Sequence, residues 1–307
     1  MIFWRRSKRH LSAHIVIQAF QVLPWIGLLV FLLQSPAIAR QPPSPAHVAL
    51  RFGILPDSAR DIIDARYAPL LHYIKQETGI SIELLVPENY QELLTLFREK
   101  KLDLAFFGGY TFIQAQQQAN AKPLVMRDID LHFSSVFLVR TDNRKNKLQE
   151  FKGGILAFGP KLSTSGHLMP RYFLNERGIN PETFFAEVRH SAGHDQTAYW
   201  VRDGKVDLGA ANSVVIRKMF RDGILVSKDV RILWETPYYT DYVLAVQPDL
   251  DETVQQRLLD SLLALSPLHR QQKRILDNLG AGGFLPASNA DFDSLRKIIT
   301  HLQHKTP

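Results

Sequence analysis

The sequence has no cysteine among its 307 residues. This absence excludes a metal site built on paired thiolates, and it excludes a lipoprotein anchor, which needs a cysteine after the leader. A chain without thiols fits an oxidising compartment, where a stray thiol would be a liability.

Several functional motifs are also missing. The chain has no G-x-S-x-G nucleophile elbow and no H-E-x-x-H zinc motif. Arg144–Lys147 is the densest basic run after the N-terminal segment, so the charge pattern does not predict nucleic-acid binding. We therefore expect no catalytic residue, no metal and no cofactor.

Residues 1–39 are typical of a cleaved secretory signal. A basic segment, Arg5–Arg9, precedes the apolar stretch Ile15–Leu33, and Ala37-Ile38-Ala39 forms an A-x-A cleavage site. An uncleaved membrane anchor is the alternative, because the apolar stretch is long, although two glutamines and a proline interrupt it. Without residues 1–39 the formal net charge falls from +7 to +3. We expect a periplasmic protein whose fold follows a proline-rich linker, residues 40–47.

The residues after this linker alternate between strand and helix patterns. Strand-like runs at Val48–Leu55, Ile80–Val86 and Leu102–Phe107 are separated by amphipathic segments, which predicts a βαβαβ unit with a parallel sheet. A second strand and helix series lies within residues 143–236, and helical segments close the chain. The prediction is therefore an α/β protein of two lobes, residues 48–140 with 240–307 and residues 141–239, joined by two crossing strands around a cleft.

The stretch from Ile155 to Arg171 carries the strongest local signal. A short apolar strand, Ile155–Phe158, is followed by a Gly-Pro turn and then by Ser163, Thr164, Ser165 and Gly166, where a helix begins. Hydroxyls and free backbone N–H groups at a helix N-terminus suit an oxyanion. Ordinary helix capping is the alternative.

Two further loops are candidate walls of the cleft. Gly108-Gly109 follows a buried strand, at the edge where open parallel sheets bind ligands, although it also suits a plain tight turn. In Ser191–Gln196, His194 could donate to an anion while Asp195 caps the next helix. Asp207 starts the following strand and suits either a site or a turn.

Taken in order, these motifs resemble a known family. The segments Gly53–Pro56, Asp103–Gly109, Ser163–Pro170, Ser191–Asp195 and Gly204–Asp207 look like those of the phosphate, phosphite and phosphonate-binding family of periplasmic solute-binding proteins of ABC transporters. Within it, the G-G-x-T-F turn and the S-T-S-G-H-L-M-P-R-Y-F run look most like a subgroup labelled selenate-binding.

The resemblance implies a type II periplasmic binding fold that holds a tetrahedral oxyanion between its lobes. It implies that Ser163, Thr164 and Ser165 bind the anion, that His194 donates to it, and that Tyr67 reaches it. Phe112 stands where the family has a tyrosine, and Tyr110, two residues earlier, is a candidate to supply the missing hydroxyl. The implied partners are the oxyanion and an inner-membrane permease, and we expect a monomer.

The chemistry of the ligand depends on carboxylates in the cleft. Phosphate, phosphite and phosphonates carry a proton that a carboxylate accepts, whereas sulfate and selenate are fully ionised and would be repelled. Asp195 or Asp207 facing the ligand would therefore favour a protonatable oxyanion. Two other functions stay open: a sensor that feeds a receptor histidine kinase, and a hydrolase that uses Ser165 or His194.

Overall fold

The first part of the chain alternates strands with helices and builds most of one sheet. A computed structural model describes residues 49–305, with side chains through Leu302, so the predicted signal and linker lie outside the described residues. The elements are β1 (Leu50–Ile54), α1 (Arg60–Thr78), β2 (Ile82–Leu85), α2 (Tyr90–Arg98), β3 (Leu104–Phe107), α3 (Gly109–Ala119) and β4 (Lys122–Arg127). β1 pairs in parallel with β2 and β3, as the βαβαβ pattern predicts.

The middle of the chain builds a second sheet. Its elements are β5 (Ser135–Arg140), β6 (Ile155–Phe158), α4 (Met169–Glu176), α5 (Pro181–Phe184), β7 (Glu187–His190), α6 (His194–Arg202), β8 (Leu208–Asn212), α7 (Ser213–Arg221) and β9 (Val230–Glu235). The chain then returns with β10 (Val243–Val246), α8 (Glu252–Leu263), α9 (Arg270–Leu279), β11 (Phe284–Pro286) and α10 (Asp293–Lys305).

The two sheets share one strand arrangement. The first has the order β11-β4-β10-β3-β1-β2 and the second β7-β6-β8-β5-β9. In each sheet, the first strand after a passage between the lobes is antiparallel to both of its neighbours: β10 pairs with β3 and β4, and β5 pairs with β8 and β9. In the first sheet, β11 adds an antiparallel edge strand beside β4. We call the part built on the first sheet lobe 1 and the part built on the second sheet lobe 2.

The chain passes between the lobes at residues 128–134 and 236–242. An antiparallel bridge joins Phe133 to Tyr239 between these segments. Among the described strands, β5 pairs with β8 and β9 of the second sheet, whereas the predicted boundary at residue 141 groups Ser135–Arg140 with lobe 1. β4 and β9, which no sequence pattern predicted, extend the two sheets.

Alternating side chains give each lobe its core. In β5, Val136 and Leu138 face one apolar cluster of lobe 2, while Phe137 and Val139 face the other. The central strand β3 is buried along its whole length, as expected of a strand covered by helices on both faces. Within residues 49–305, no helix combines the length and apolar character needed to cross a bilayer.

Candidate functional site

Four buried side-chain atoms lack a hydrogen-bond partner among the described residues. They are the Tyr90 hydroxyl, Ser165 Oγ, His194 Nε2 and Asp241 Oδ2. Burying an unpaired polar atom costs about 1–3 kcal/mol, and folded proteins contain few such atoms. Tyr90 belongs to lobe 1, Ser165 and His194 belong to lobe 2, and Asp241 lies in the segment that passes between them, so the unpaired atoms lie on both sides of the cleft.

The hydroxyl cluster that follows β6 forms the centre of the site. A π-helical turn, Thr164–Leu168, leads into α4, and Ser163 caps it by accepting the Gly166 N–H at 2.9 Å. Thr164 Oγ1 reaches across the cleft and accepts the Tyr110 N–H at 3.0 Å. The Ser165 hydroxyl and the first amides of the turn are left at the positive end of a helix, which suits an anion.

Gly166 is needed because the histidine lies against it. A Cβ on Gly166 would stand 2.8 Å from His194 Cε1 and 3.0 Å from Gly159 Cα. The 2.8 Å approach is shorter than real Cβ contacts allow, so a side chain at this position would displace the imidazole.

The His194 imidazole is a fixed neutral donor. It is fully buried, and Nδ1 accepts the Asn212 backbone N–H at 3.3 Å, which leaves the proton on Nε2. Burial lowers the pKa of His194 to about 4, so the ring is uncharged near neutral pH. The unpaired Nε2–H is therefore available to donate a hydrogen bond to a ligand without adding positive charge.

Asp241 brings a protonatable carboxyl to the same site. Its side chain is fully buried, and Oδ1 accepts the Gly109 N–H at 3.0 Å. Burial raises the pKa of Asp241 to about 7, although the Gly109 amide and the hydroxyls of Thr164 and Ser165 lower it in part. A carboxyl with this pKa exchanges a proton readily with a ligand at neutral pH.

The Tyr90 hydroxyl completes the set from the start of α2. Asn89 caps this helix by accepting the Glu92 N–H at 2.9 Å, which fixes the first turn. Burial raises the pKa of Tyr90 well above its ordinary value, so the phenol keeps its proton. The hydroxyl faces Ser163 without reaching hydrogen-bond geometry.

A buried ion pair lies beside these groups. Arg66 Nη1 contacts both Asp57 carboxylate oxygens, at 3.0 and 3.2 Å. The pair lines a cavity of about 20 Å³ together with Tyr67, Asn212 and Tyr242. Since Asp57 neutralises Arg66, attraction for an anion comes mainly from hydroxyls, amides and the histidine.

Most of the residues predicted from the sequence are brought together. Ser163, Thr164, Ser165, Gly166 and His194 lie side by side in the cleft.

The two predicted tyrosines lie differently. The Tyr67 ring packs edge-on against Phe52 and Phe106, burial raises its pKa to about 12, and its side chain lines the small cavity. Tyr110 gives Thr164 only its backbone N–H, while its side chain lines a surface groove beside Gln114 and Arg296.

The two predicted aspartates have other partners. Asp207 Oδ2 accepts the Ile155 N–H at 2.7 Å, at the opposite end of β8 from the hydroxyl cluster. Asp195 accepts the Gln196 N–H at 2.8 Å and the Ala59 N–H at 3.2 Å. Both Asp195 oxygens accept backbone amides, and Asp207 lies at the end of β8 away from the site.

Sequence reasoning missed Tyr90 and Asp241. Tyr90 does stand at a helix start after a strand, which is the signal that identified the hydroxyl cluster of lobe 2. Asp241 has no such signal, because it follows an irregular segment and reaches Gly109 only through the chain crossing.

The chain is similar to known binding proteins over most of its length. A family model described as "ABC transporter, phosphonate, periplasmic substrate-binding protein" matches residues 52–292. PhnD1 of Prochlorococcus marinus (strain MIT 9301), whose name describes an ABC transporter phosphite-binding protein, is 31% identical over 81% of this chain and 88% of its own. The phosphonates-binding periplasmic protein of Escherichia coli (strain K12) is 25% identical over 83% and 78%.

A solved structure shows a similar fold. PhnD1 from Prochlorococcus marinus (MIT 9301) in complex with methylphosphonate superposes with a TM-score of 0.78 at 30% identity, over 83% of this chain and 98% of that one. Neither of these two relatives is named as selenate-binding, so the predicted subgroup stays a prediction.

Proposed function

The chain belongs to the family of phosphonate-binding periplasmic substrate-binding proteins of ABC transporters, and we propose that it closes on a singly protonated phosphorus oxyanion. The family and the type II periplasmic binding fold, both predicted from the sequence, are confirmed. The protein is thus the substrate-binding component of a transporter, with a small ligand and a membrane permease as partners. We place the ligand among the four unpaired atoms of the cleft.

In this binding mode, donors and an acceptor share the oxyanion oxygens. Ser165, Tyr90 and His194 donate to two or three of the oxygens, together with the first amides of the turn at Thr164. Asp241 Oδ2 faces the oxygen that carries the proton. One proton is then shared between ligand and carboxyl, so the two acids are not both fully ionised within the buried site.

Asp241 is the observation that carries this assignment. A buried carboxyl with one amide partner and one unpaired oxygen repels a fully ionised anion unless it takes up a proton. Phosphite, phosphate and phosphonates bring that proton themselves, whereas sulfate and selenate do not. The sequence alone suggested Asp195 or Asp207 for this discriminating role, and we now assign it to Asp241.

The same geometry argues against hydrolysis. Ser165 Oγ and His194 Nε2 are both unpaired, so they are not hydrogen-bonded to each other as a nucleophile and base would be. A histidine with a pKa of about 4 is also a poor base at pH 7. We propose a monomeric, non-enzymatic binder that reaches the periplasm through a cleaved signal, residues 1–39.

A binding panel tests the proposal. Protein purified from the periplasm is titrated in a calorimeter with methylphosphonate, phosphite, phosphate, sulfate and selenate, and its N-terminus is sequenced. We expect tight binding of at least one phosphorus oxyanion and weak binding of sulfate and selenate. At 100 times its dissociation constant the ligand should stabilise the fold by about 2.7 kcal/mol.

A double variant, Ser165→Ala with His194→Ala, serves as the control for the site. It should lose binding while the unliganded protein stays folded. Equal binding of all five anions, or binding retained by the variant, would contradict the proposed site.

A further inference from the structure

Two helices from opposite lobes meet at their N-termini. α1 of lobe 1 begins after Ala59, and α6 of lobe 2 begins after Gly193. The backbone N–H of His194 donates to the Asp57 carbonyl at 3.1 Å, and the backbone N–H of Ala59 donates to Asp195 Oδ2 at 3.2 Å. Each lobe thus supplies one donor and one acceptor, and we call this pair of contacts the clasp.

The clasp places two positive helix ends next to each other. N-termini of helices carry partial positive charge, so two of them in contact repel unless negative charge lies between them. Asp57 and Asp195 are the carboxylates at this point, and Arg66 already neutralises Asp57 at 3.0 Å. Asp195 is therefore the carboxylate left to offset the two helix ends.

One Asp195 side chain contacts both helices. Oδ1 accepts the Gln196 N–H in the first turn of its own helix at 2.8 Å, while Oδ2 accepts the N–H of the residue that precedes α1. Gly193 lets the backbones approach, since a Cβ there would lie 3.2 Å from the Asp57 carbonyl oxygen. Both contacts of Asp195 are made without any of the four unpaired atoms.

We propose that Asp195 is a positioning residue that holds the cleft closed over the ligand. This inference rests on the proposed function and adds a residue that sets affinity without touching the anion. Asp195 is next in sequence to His194, so closing the clasp also fixes the histidine that donates to the ligand. When the lobes separate, the Ala59 N–H and the Asp195 carboxylate both return to water.

The effect belongs to the closed state alone. A contact present only when the lobes are closed raises affinity by the factor with which it favours closure. The ligand first meets an open cleft, so the association rate does not depend on the clasp. Release of the ligand requires the lobes to open, so the dissociation rate depends on the clasp.

The test follows closure directly. Because the chain has no cysteine, a pair introduced by Gln76→Cys and Lys205→Cys takes a donor and an acceptor fluorophore at exposed sites near the far ends of α1 and α6. Stopped-flow energy transfer with methylphosphonate then gives the association and dissociation rates. They are measured in the labelled parent protein and in the same protein carrying Asp195→Asn or Asp195→Ala. Asp207→Asn is the matched control, because Asp207 also accepts a backbone N–H but within lobe 2.

We expect Asp195→Ala to raise the dissociation rate about tenfold and Asp195→Asn, which keeps an acceptor, about threefold. The association rate and the energy transfer at saturating ligand should stay unchanged, and the Asp207 variant should match the parent. Unchanged dissociation in both Asp195 variants would overturn the inference while leaving the proposed function intact. A parent protein that binds no phosphorus oxyanion would overturn both.

Discussion

Two aspartates in the segments between the lobes are equally buried and differently paired. Asp130 and Asp241 are both fully inaccessible, and the Asp241 N–H donates to the Asp130 carbonyl at 2.9 Å. Asp130 forms a two-pronged pair with Arg127, at 2.9 and 2.6 Å. Asp241 has one backbone amide and an unpaired oxygen.

The difference in pairing distinguishes the structural role of Asp130 from the ligand-binding role that we propose for Asp241. The Arg127 guanidinium that pairs with Asp130 also donates to the Leu279 carbonyl at 2.7 Å and lies over the Tyr242 ring at 5.0 Å. The charges of this pair are thus compensated by contacts within the protein. No cation is paired with Asp241 among the described residues. A buried carboxyl becomes a ligand site when the fold supplies depth but no partner.

The largest expected effect comes from breaking the complete pair. Asp130→Asn leaves the Arg127 guanidinium buried without its counter-charge, which typically lowers the free energy of unfolding by about 3–5 kcal/mol. Urea denaturation at pH 7 measures the loss. Asp103→Asn is the matched control, because Asp103 pairs with Arg51 at the surface and should lose only about 1 kcal/mol. Equal losses would mean that burial does not distinguish the two pairs.

Replacing Asp241 by Asn should raise the free energy of unfolding of the unliganded protein, whereas Asp130→Asn lowers it. Its pKa of about 7 lies above the ordinary value near 4, so the folded state holds a proton that the unfolded chain has released. The unliganded protein therefore loses stability as the pH rises from about 4 to 7.

Asp241→Asn removes this loss. The gain in free energy of unfolding should be near zero at pH 4 and reach up to about 4 kcal/mol above pH 7. Urea denaturation of the unliganded protein across this range measures it. A variant less stable than the parent at pH 8 would show that Asp241 is a structural group like Asp130.

Local sequence signals predicted the parts of the fold that depend on local order. The strand Ile155–Phe158 was predicted with its observed bounds, because glycines flank a short apolar run. β4 was missed because Pro123 interrupts its pattern, and β9 because it is a half-buried edge strand. The two-lobe architecture followed from the order of elements, since parallel strands need helical crossovers.

Sequence signals indicated only one side of the site that we propose. The hydroxyl cluster at 163–166 lies within one turn, so residues that are adjacent in the sequence are also adjacent in space. Asp241 acts with Gly109, more than a hundred residues away, and nothing near it in the sequence indicates that contact. Asp195 and Asp207 look alike in sequence, yet only Asp195 contacts the opposite lobe.

Asp241 should also set the preference for methylphosphonate over sulfate. Sulfate is fully ionised near neutral pH, so its binding requires a protonated Asp241 and its affinity should fall about tenfold per pH unit above pH 7. Asp241→Asn supplies a neutral donor, so sulfate affinity should become independent of pH, and at pH 8 the preference for methylphosphonate over sulfate should shrink by about tenfold. Calorimetry at pH 6, 7 and 8 tests both statements. A pH dependence that survives the substitution would assign the proton to another group.

The smallest expected effect distinguishes two buried tyrosines. The Tyr90 hydroxyl is unpaired at the site, so Tyr90→Phe should weaken methylphosphonate binding about tenfold while the ring keeps its packing. The Tyr67 hydroxyl lines the small cavity beside Arg66, and Tyr67→Phe should change binding by less than about twofold. Calorimetric titration of both variants at pH 7 measures the difference. If Tyr67→Phe had the larger effect, the ligand would extend past the Tyr242 ring into that cavity, and the tyrosine that the family resemblance indicates would be the one that contacts it.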